Sequence, residues 1–311
     1  MRTRLLIPAA VLLIGCGLRH RPVGPEPARG PARDSLLLFD QTRGDSIAQH
    51  GSVDGMLALL ASSVVYLRAG TPAVYGRNGV RALLSATDRP ASEMAWQPLG
   101  AGVSYDLRSA YTYGVAARVV GAKSSIRLER YIAYWQRAPR EPWRIVAYAE
   151  VGAPPAGELA LPTEQTTPPA PVTLANGRPP KDDAAPAVRA ADSSFADLAD
   201  RMGLAFAFSN TVASDGAIFG GPRLVVGPDA VREYYLAQGT GSSLTWHPVY
   251  AAAAGSGDLG FTVGEYIATG RGPSGAAVQR FGKYLTVWQR QHDGTWKFVI
   301  DGGNSTRAPE R

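Results

Sequence analysis

Apolar positions in the C-terminal half of the chain recur first at helical and then at strand spacing. Phe195, Leu198, Met202 and Phe206 follow one another at three- and four-residue steps, with Asp192 ahead of them as the expected N-cap. Gly203 is expected to break or bend this helix, and Ala217-Ile-Phe219 to form a short strand. Asp229 is expected to cap a helix through Val231, Tyr234 and Tyr235, as Asn78 does in the N-terminal half. Alternation then predicts strands over Leu244–Ala252, Leu259–Ile267, Val278–Arg290 and Trp296–Ile300. The turns between them are Gly255-Ser-Gly-Asp258, Gly270-Arg-Gly-Pro-Ser-Gly275 and Asp293-Gly294, short enough to require antiparallel pairing. Helices followed by a meander of long strands describe an α+β domain with its helices on one sheet face.

The same pattern occurs twice. Trp96-Gln-Pro98 matches Trp246-His-Pro248, and Tyr111-Thr-Tyr-Gly114 matches Phe261-Thr-Val-Gly264, both at an offset of 150. Tyr131-Ile-Ala-Tyr-Trp-Gln-Arg137 matches Tyr284-Leu-Thr-Val-Trp-Gln-Arg290 at 153, as Trp143 matches Trp296. Gly76-Arg-Asn-Gly-Val-Arg81 matches Gly227-Pro-Asp-Ala-Val-Arg232 at 151. All six tryptophans therefore pair, and the small drift in offset marks loop changes between two copies of one fold. Between the copies, nine prolines from Pro154 to Pro186 with Ala, Thr and Gly leave no apolar periodicity, the composition of an extended linker. The expected boundaries are 35–151 for the first domain, 152–190 for the linker and 191–305 for the second domain.

The start of the chain reads differently. Two arginines precede the apolar run Leu5–Ile14, which is too short to span a membrane and has the order of a secretory signal. It ends in Leu13-Ile14-Gly15-Cys16, which resembles a bacterial lipobox; the resemblance implies lipidation of Cys16 after removal of the signal within residues 1–16. Gly17 rather than aspartate then implies the outer membrane, with the protein facing the periplasm. Residues 17–34 read as a flexible tether. Cys16 is the only cysteine, so neither a disulfide nor a catalytic thiol is expected.

The formal charge of +6 shrinks on inspection. Removing Arg2 and Arg4 leaves +4, and setting aside residues 17–34 leaves about +2 for the folded part, so the footprint nucleic acid requires is missing.

Several motifs resemble the nuclear transport factor 2-like superfamily, which includes SnoaL-like polyketide cyclases and ketosteroid isomerases. They are Gly227-x-Asp-x-Val-Arg232, Gly257-Asp-Leu-Gly-Phe-Thr-Val-Gly264, Gly282-Lys-Tyr-Leu-Thr-Val-Trp-Gln-Arg290 and Asp293-Gly-Thr-Trp-Lys297. The likeness is to a branch found in exported bacterial proteins. It spans each copy nearly end to end and is sharper in the second; the first has Pro139-Arg-Glu-Pro142 where the second has an Asp-Gly turn. The resemblance implies two cone-shaped domains, each with N-terminal helices on a strongly curved, mainly antiparallel sheet around a pocket. It also implies pairing through outer sheet faces, here as a pseudo-dimer within one chain.

Candidate chemistry is sparse. Gly255-Ser-Gly-Asp-Leu-Gly260 has dinucleotide-fingerprint glycines, but a strand follows where a helix is needed. No phosphate loop, nucleophile elbow or zinc spacing exists, and His20, His50, His247 and His292 are scattered, so no cofactor and no metal are expected. His247 with Asp215 is the one tempting acid–base pair, although the first copy has Gln97 at the histidine's position and strand parity sets His247 opposite Trp246. By period two, Arg127, Tyr131, Trp135 and Arg137 share a face, as do Arg280, Tyr284, Trp288 and Arg290. These rows either line a pocket for an apolar ligand with an acidic or carbonyl end or form the face that mates the domains. Tyr66, Glu265 and Tyr266 adjoin the presumed cavity. The leading expectation is a non-enzymatic envelope protein holding a small, partly apolar ligand or a partner. The alternatives are an isomerase, dehydratase or cyclase acting in the second domain, and a purely structural pseudo-dimer.

Overall fold

The computed structural model describes residues 29–87, 94–120, 125–152, 183–220, 223–239, 242–271 and 275–306. The signal segment 1–16 with Cys16, and residues 17–28 and 153–182, lie outside the described residues.

The first domain runs α1 (Arg29–His50), α2 (Ser52–Leu59), β1 (Leu60–Leu67), β2 (Val74–Tyr75), α3 (Gly76–Thr87), β3 (Met94–Val103), β4 (Ser109–Val120), β5 (Ser125–Gln136) and β6 (Arg144–Val151). The second repeats the order with α4 (Ala185–Met202), α5 (Leu204–Thr211), β7 (Val212–Gly220), β8 (Arg223–Val226), α6 (Pro228–Ala237), β9 (Ser243–Ala253), β10 (Leu259–Arg271), β11 (Ala277–Arg290) and β12 (Trp296–Ser305). The two six-stranded sheets are ordered β2-β1-β6-β5-β4-β3 and β8-β7-β12-β11-β10-β9. All pairings are antiparallel except β1 with β6 and β7 with β12, where the chain returns across the sheet. The fold is α+β, built twice.

Both expected coil segments are shorter than their composition suggests. Helix α1 opens at Arg29, inside the expected tether, and α4 opens at Ala185, inside the expected linker. Pro31 and Pro186 add to the coil-like composition of tether and linker, yet each falls in the first turn of its helix, where the missing N–H has no intrahelical acceptor to satisfy. Asp192 and Asp229 are likewise not caps. Asp192 lies mid-helix, and Asp229 sits in the first turn of α6 behind Gly227. Met202 and Phe206 are exposed, because Gly203, at φ 83°, ends α4 and starts α5 on a new axis. The buried stripe of α4 is Val188, Asp192, Phe195 and Ala199.

The paired tryptophans occupy equivalent places. Trp135 and Trp288 are fully buried on the helix-facing side of their sheets, and their indole N–H groups donate to Thr112 (2.8 Å) and Thr262 (2.9 Å). One extra residue on the last strand of each copy, Val146 and Val299, forms a bulge opposite this tryptophan. The bulge shifts strand parity, so a residue three beyond the inward-facing Ile145 or Phe298 turns inward again.

The opposite faces of the two sheets share one apolar cluster. Val65, Leu67, Ile132, Tyr134 and Val151 of the first sheet bury against Phe261, Val263, Leu285, Val287 and Ile300 of the second. Tyr134 and Phe261 meet at 4.6 Å between ring centroids, and a Cβ on Gly302 would lie 2.8 Å from Val151, so glycine there sets the sheet spacing. Polar clasps ring the apolar patch. Arg29 donates to the Val103 carbonyl (2.9 and 3.1 Å) and to Asp258 (3.1 Å), whose carboxylate also accepts the Tyr105 N–H (2.9 Å). At the other end Lys283 donates to the Arg68 carbonyl (2.7 Å) and Asn304 to the Leu67 carbonyl (3.0 Å).

Candidate functional site

The interior of the second domain holds two carboxyl groups, one of them Asp192, which the helix pattern placed at a cap. Asp192, on the buried stripe of α4, accepts the Trp246 indole N–H (2.9 Å) and the Tyr284 hydroxyl (3.0 Å). Tyr284 reaches it by lying over Gly264 on the neighbouring strand, where any Cβ would come within 2.3 Å of the hydroxyl. Asp301 turns inward after the β12 bulge and accepts the Thr286 hydroxyl. Between these groups and the helices lies a cavity of about 240 Å³. Phe195, Phe208, Tyr235, Trp246, Tyr266 and Tyr284 supply its aromatic walls, and Asp301 is its charged member.

Burial governs the electrostatics. Loss of hydration pushes the Asp301 carboxyl up to about 7, with the nearby Asp192 adding to the rise and the Thr286 hydrogen bond opposing it. Burial also raises Asp192, against hydrogen bonds from Thr262, Trp246 and Tyr284. Tyr284 and Tyr235 are held neutral by burial first and by the neighbouring carboxyls second. A carboxyl that changes charge near neutrality, with an indole and several phenols around it, can accept a hydrogen bond, donate one or pair with a cation.

The equivalent interior of the first domain is furnished differently. Tyr131 donates to Asp40 (2.7 Å), reproducing the Tyr284–Asp192 contact. Strand register puts Tyr148 where the second copy has Asp301, Tyr66 where it has Ile218, and Ala133 where it has Thr286. Tyr148 stacks on Tyr66 (5.0 Å) and on Tyr131 (6.1 Å), and Tyr66 donates to Glu150 (3.1 Å). The stacked rings of Tyr66 and Tyr148 thus stand where the second copy carries Ile218 and Asp301.

The residues expected from sequence divide accordingly. Tyr284 and Tyr266 line the cavity. Trp288 does not; like Tyr131, Trp135 and Tyr66 it is packed core, because period-two parity carries this face toward the helices and not toward the other domain. Arg280 is exposed near the far end of β11, and the side chain of Arg127 lies outside the described residues. Arg137 stacks on Trp143 (4.3 Å) and Arg290 donates to Gly294 (3.3 Å), so both serve the turns beside them. His247 and Asp215 do not meet. His247 is exposed on β9 beside Glu265, against a groove of about 430 Å³ that also touches Pro72 and Ala73. Asp215 lies on β7, four strand positions away, near Tyr111 of the first domain. A signal for Asp192 was nonetheless present: it breaks the apolar stripe of its helix, as Asp40 does between Leu36 and Ile47. Asp301 had none, because the bulge that turns it inward has no mark in the alternation.

Among the described residues no cluster of three or more His, Cys, Asp or Glu side chains is placed to hold a metal, and no helix is long and apolar enough to cross a membrane. The chain matches no family model and no curated protein. Among solved structures it is similar to a ketosteroid isomerase-like protein from Erwinia carotovora atroseptica, at 20% identity over 40% of this chain and 96% of that one, with a TM-score of 0.34. It is also similar to a nuclear transport factor 2-like superfamily protein from Salmonella enterica serovar Typhimurium, at 12% identity over 40% and 92%, TM-score 0.33. A third is a nuclear transport factor 2-like protein with a cystatin-like fold from Novosphingobium aromaticivorans, at 19% identity over 38% and 79%, TM-score 0.30. Each alignment spans about one of the two domains.

Proposed function

We propose that the second domain is a receptor for a small, largely apolar ligand and that the first, with tyrosines stacked in its interior, is a rigid partner holding it in shape. The observation that carries this reading is the exchange of the stacked pair Tyr66 and Tyr148 for Ile218 and Asp301 within a shared architecture, with an aromatic cavity lined by Ile218 and Asp301 in the second copy. At about 240 Å³ the cavity sits just below the range of roughly 300–1,000 Å³ of drug-sized sites, which fits a compact ligand. The test rebuilds the first interior inside the second with the double variant Ile218→Tyr, Asp301→Tyr. Native mass spectrometry of protein purified from its own host is expected to show a small-molecule adduct on the wild type and none on the double variant, with far-ultraviolet circular dichroism unchanged. Equal adducts on both, or none on either, would count against the reading.

We further propose that the pair of domains is held at the bacterial outer membrane, on its periplasmic side, by a lipid on Cys16. Metabolic labelling with an alkyne fatty acid is expected to mark the wild type and fail on Cys16→Ser, which should also leave the membrane fraction.

A catalytic reading, proton transfer in an isomerase, dehydratase or cyclase, is favoured by one observation: Asp301 titrates near neutrality inside the cavity. In that case deuterium exchange into a small cyclic enone, followed by NMR, should depend on pH with a midpoint near 7 and vanish in Asp301→Asn.

A further inference from the structure

The lining of the second cavity carries more information than its volume. Its wall residues include an acid but no lysine, arginine or histidine. A second acid, Asp192, stands directly behind Trp246 and Tyr284 and is hydrogen-bonded to both. The basic groups near these acids and phenols are turned to other work. Arg189 commits its guanidinium to the Pro248 and Val249 carbonyls (2.7 Å each), Arg130 donates to the Gly152 carbonyl (2.7 Å) while lying over the ring of the wall residue Phe219 (5.2 Å), and Arg280 is exposed on β11. A neutral apolar ligand would need none of this acidity, and an anionic one would be repelled by it.

From this arrangement we infer that the cavity selects an organic cation, an alkylated ammonium group carried on a compact apolar body. The inference rests on the reading of this cavity as a ligand site and names the class of ligand. Two features of ammonium chemistry match. An alkylated ammonium is weakly hydrated, so it enters an apolar enclosure at far lower cost than a primary ammonium. The π-faces of Trp and Tyr attract positive charge, and such attraction strengthens where water is excluded. The Asp301 carboxylate supplies the counter-charge on the wall, at the position where the first copy carries Tyr148. A bound cation would also offset the charge of Asp192, which opposes ionisation of Asp301.

Choline and 3,3-dimethylbutan-1-ol test this directly, because they share a shape and differ in charge. In isothermal titration calorimetry on the whole two-domain protein at pH 8, choline is expected to bind at least about tenfold more tightly than the alcohol, the ratio that desolvated cation–π and ionic contacts of roughly 1.4 kcal/mol or more would give. Asp301→Asn is expected to remove most of that preference, weakening choline binding far more than alcohol binding. Alcohol binding as tightly as choline, or an unaltered preference in Asp301→Asn, would overturn the cation assignment and leave the cavity reading intact. Absence of binding by both compounds also overturns it. The adduct experiment with the Tyr-filled double variant then judges the cavity reading separately.

Discussion

Asp301→Asn is expected to stabilise the protein at pH 8 and to leave its stability near pH 4 almost unchanged. The carboxyl titrates at about 7 in the folded protein, above the ordinary carboxylate value of 3.8. Below about pH 4 it is protonated in folded and unfolded chains alike and contributes no pH dependence. As pH rises toward 7 the unfolded chain releases this proton while the folded protein keeps it, so stability falls; above 7 the loss is complete and constant. At about 1.4 kcal/mol for each unit of separation, the full loss is on the order of 4 kcal/mol, an upper figure because Asp301 is partly open to the cavity and its charge is screened there. Asparagine keeps the shape and the acceptor for Thr286 without the charge. Urea unfolding at pH 4, 6 and 8 should therefore give curves for wild type and variant that converge at low pH and separate by a few kcal/mol at high pH. The groups facing Asp301, namely Asp192, Tyr235, Tyr266 and Tyr284, remain in the variant, so the difference isolates this carboxyl and its coupling to Asp192. Parallel curves would show that the carboxyl is hydrated and unperturbed.

Asp258→Ala is expected to cost about 3 kcal/mol and to separate the unfolding of the two domains. Asp258 belongs to a hairpin turn of the second domain, is 1% exposed, and receives both the Arg29 guanidinium and the Tyr105 N–H of the first. Truncating one member of a buried ion pair leaves the other charge and its donors unsatisfied, at about 3–5 kcal/mol. The low end applies because Arg29 keeps the Val103 carbonyl. Since Asp258 joins the domains and does not support either interior, its removal should weaken their coupling more than their cores. Differential scanning calorimetry should show one transition in the wild type and two, or one broadened transition, in the variant. Arg29→Met combined with Asp258→Asn should recover much of the loss, because no buried charge is then left without a partner. An unchanged single transition in Asp258→Ala would show that the apolar patch alone couples the sheets.

How much of this was legible beforehand depends on the kind of residue. Recurrence of all six tryptophans showed the duplication, and the order of helical and alternating segments showed the α+β class, because both follow from spacing along one strand or helix. Gly203 announced its own break. Pro31 and Pro186 misled, since composition cannot say whether a proline stands in a coil or in the first turn of a helix. Of the Arg-Tyr-Trp rows on β5 and β11, Tyr131, Trp135 and Trp288 lie on the side that points to the helices, a fact about packing that periodicity leaves open. Asp192 read as a cap, and its place inside, like that of Asp40, is marked only by an acid interrupting an apolar stripe. Asp301 was invisible.

The chain's own pattern thus determined the elements, their order and their repetition, because hydrophobic periods of 3.6 and 2.0 are properties of contiguous residues. Tertiary structure decided how each interior is furnished. That difference arises where residues far apart in sequence meet, Tyr66 with Tyr148 in one domain and Ile218 with Asp301 in the other, after a one-residue bulge has reset the parity of the last strand. A cavity is the volume that several distant side chains fail to fill, and no local pattern records it.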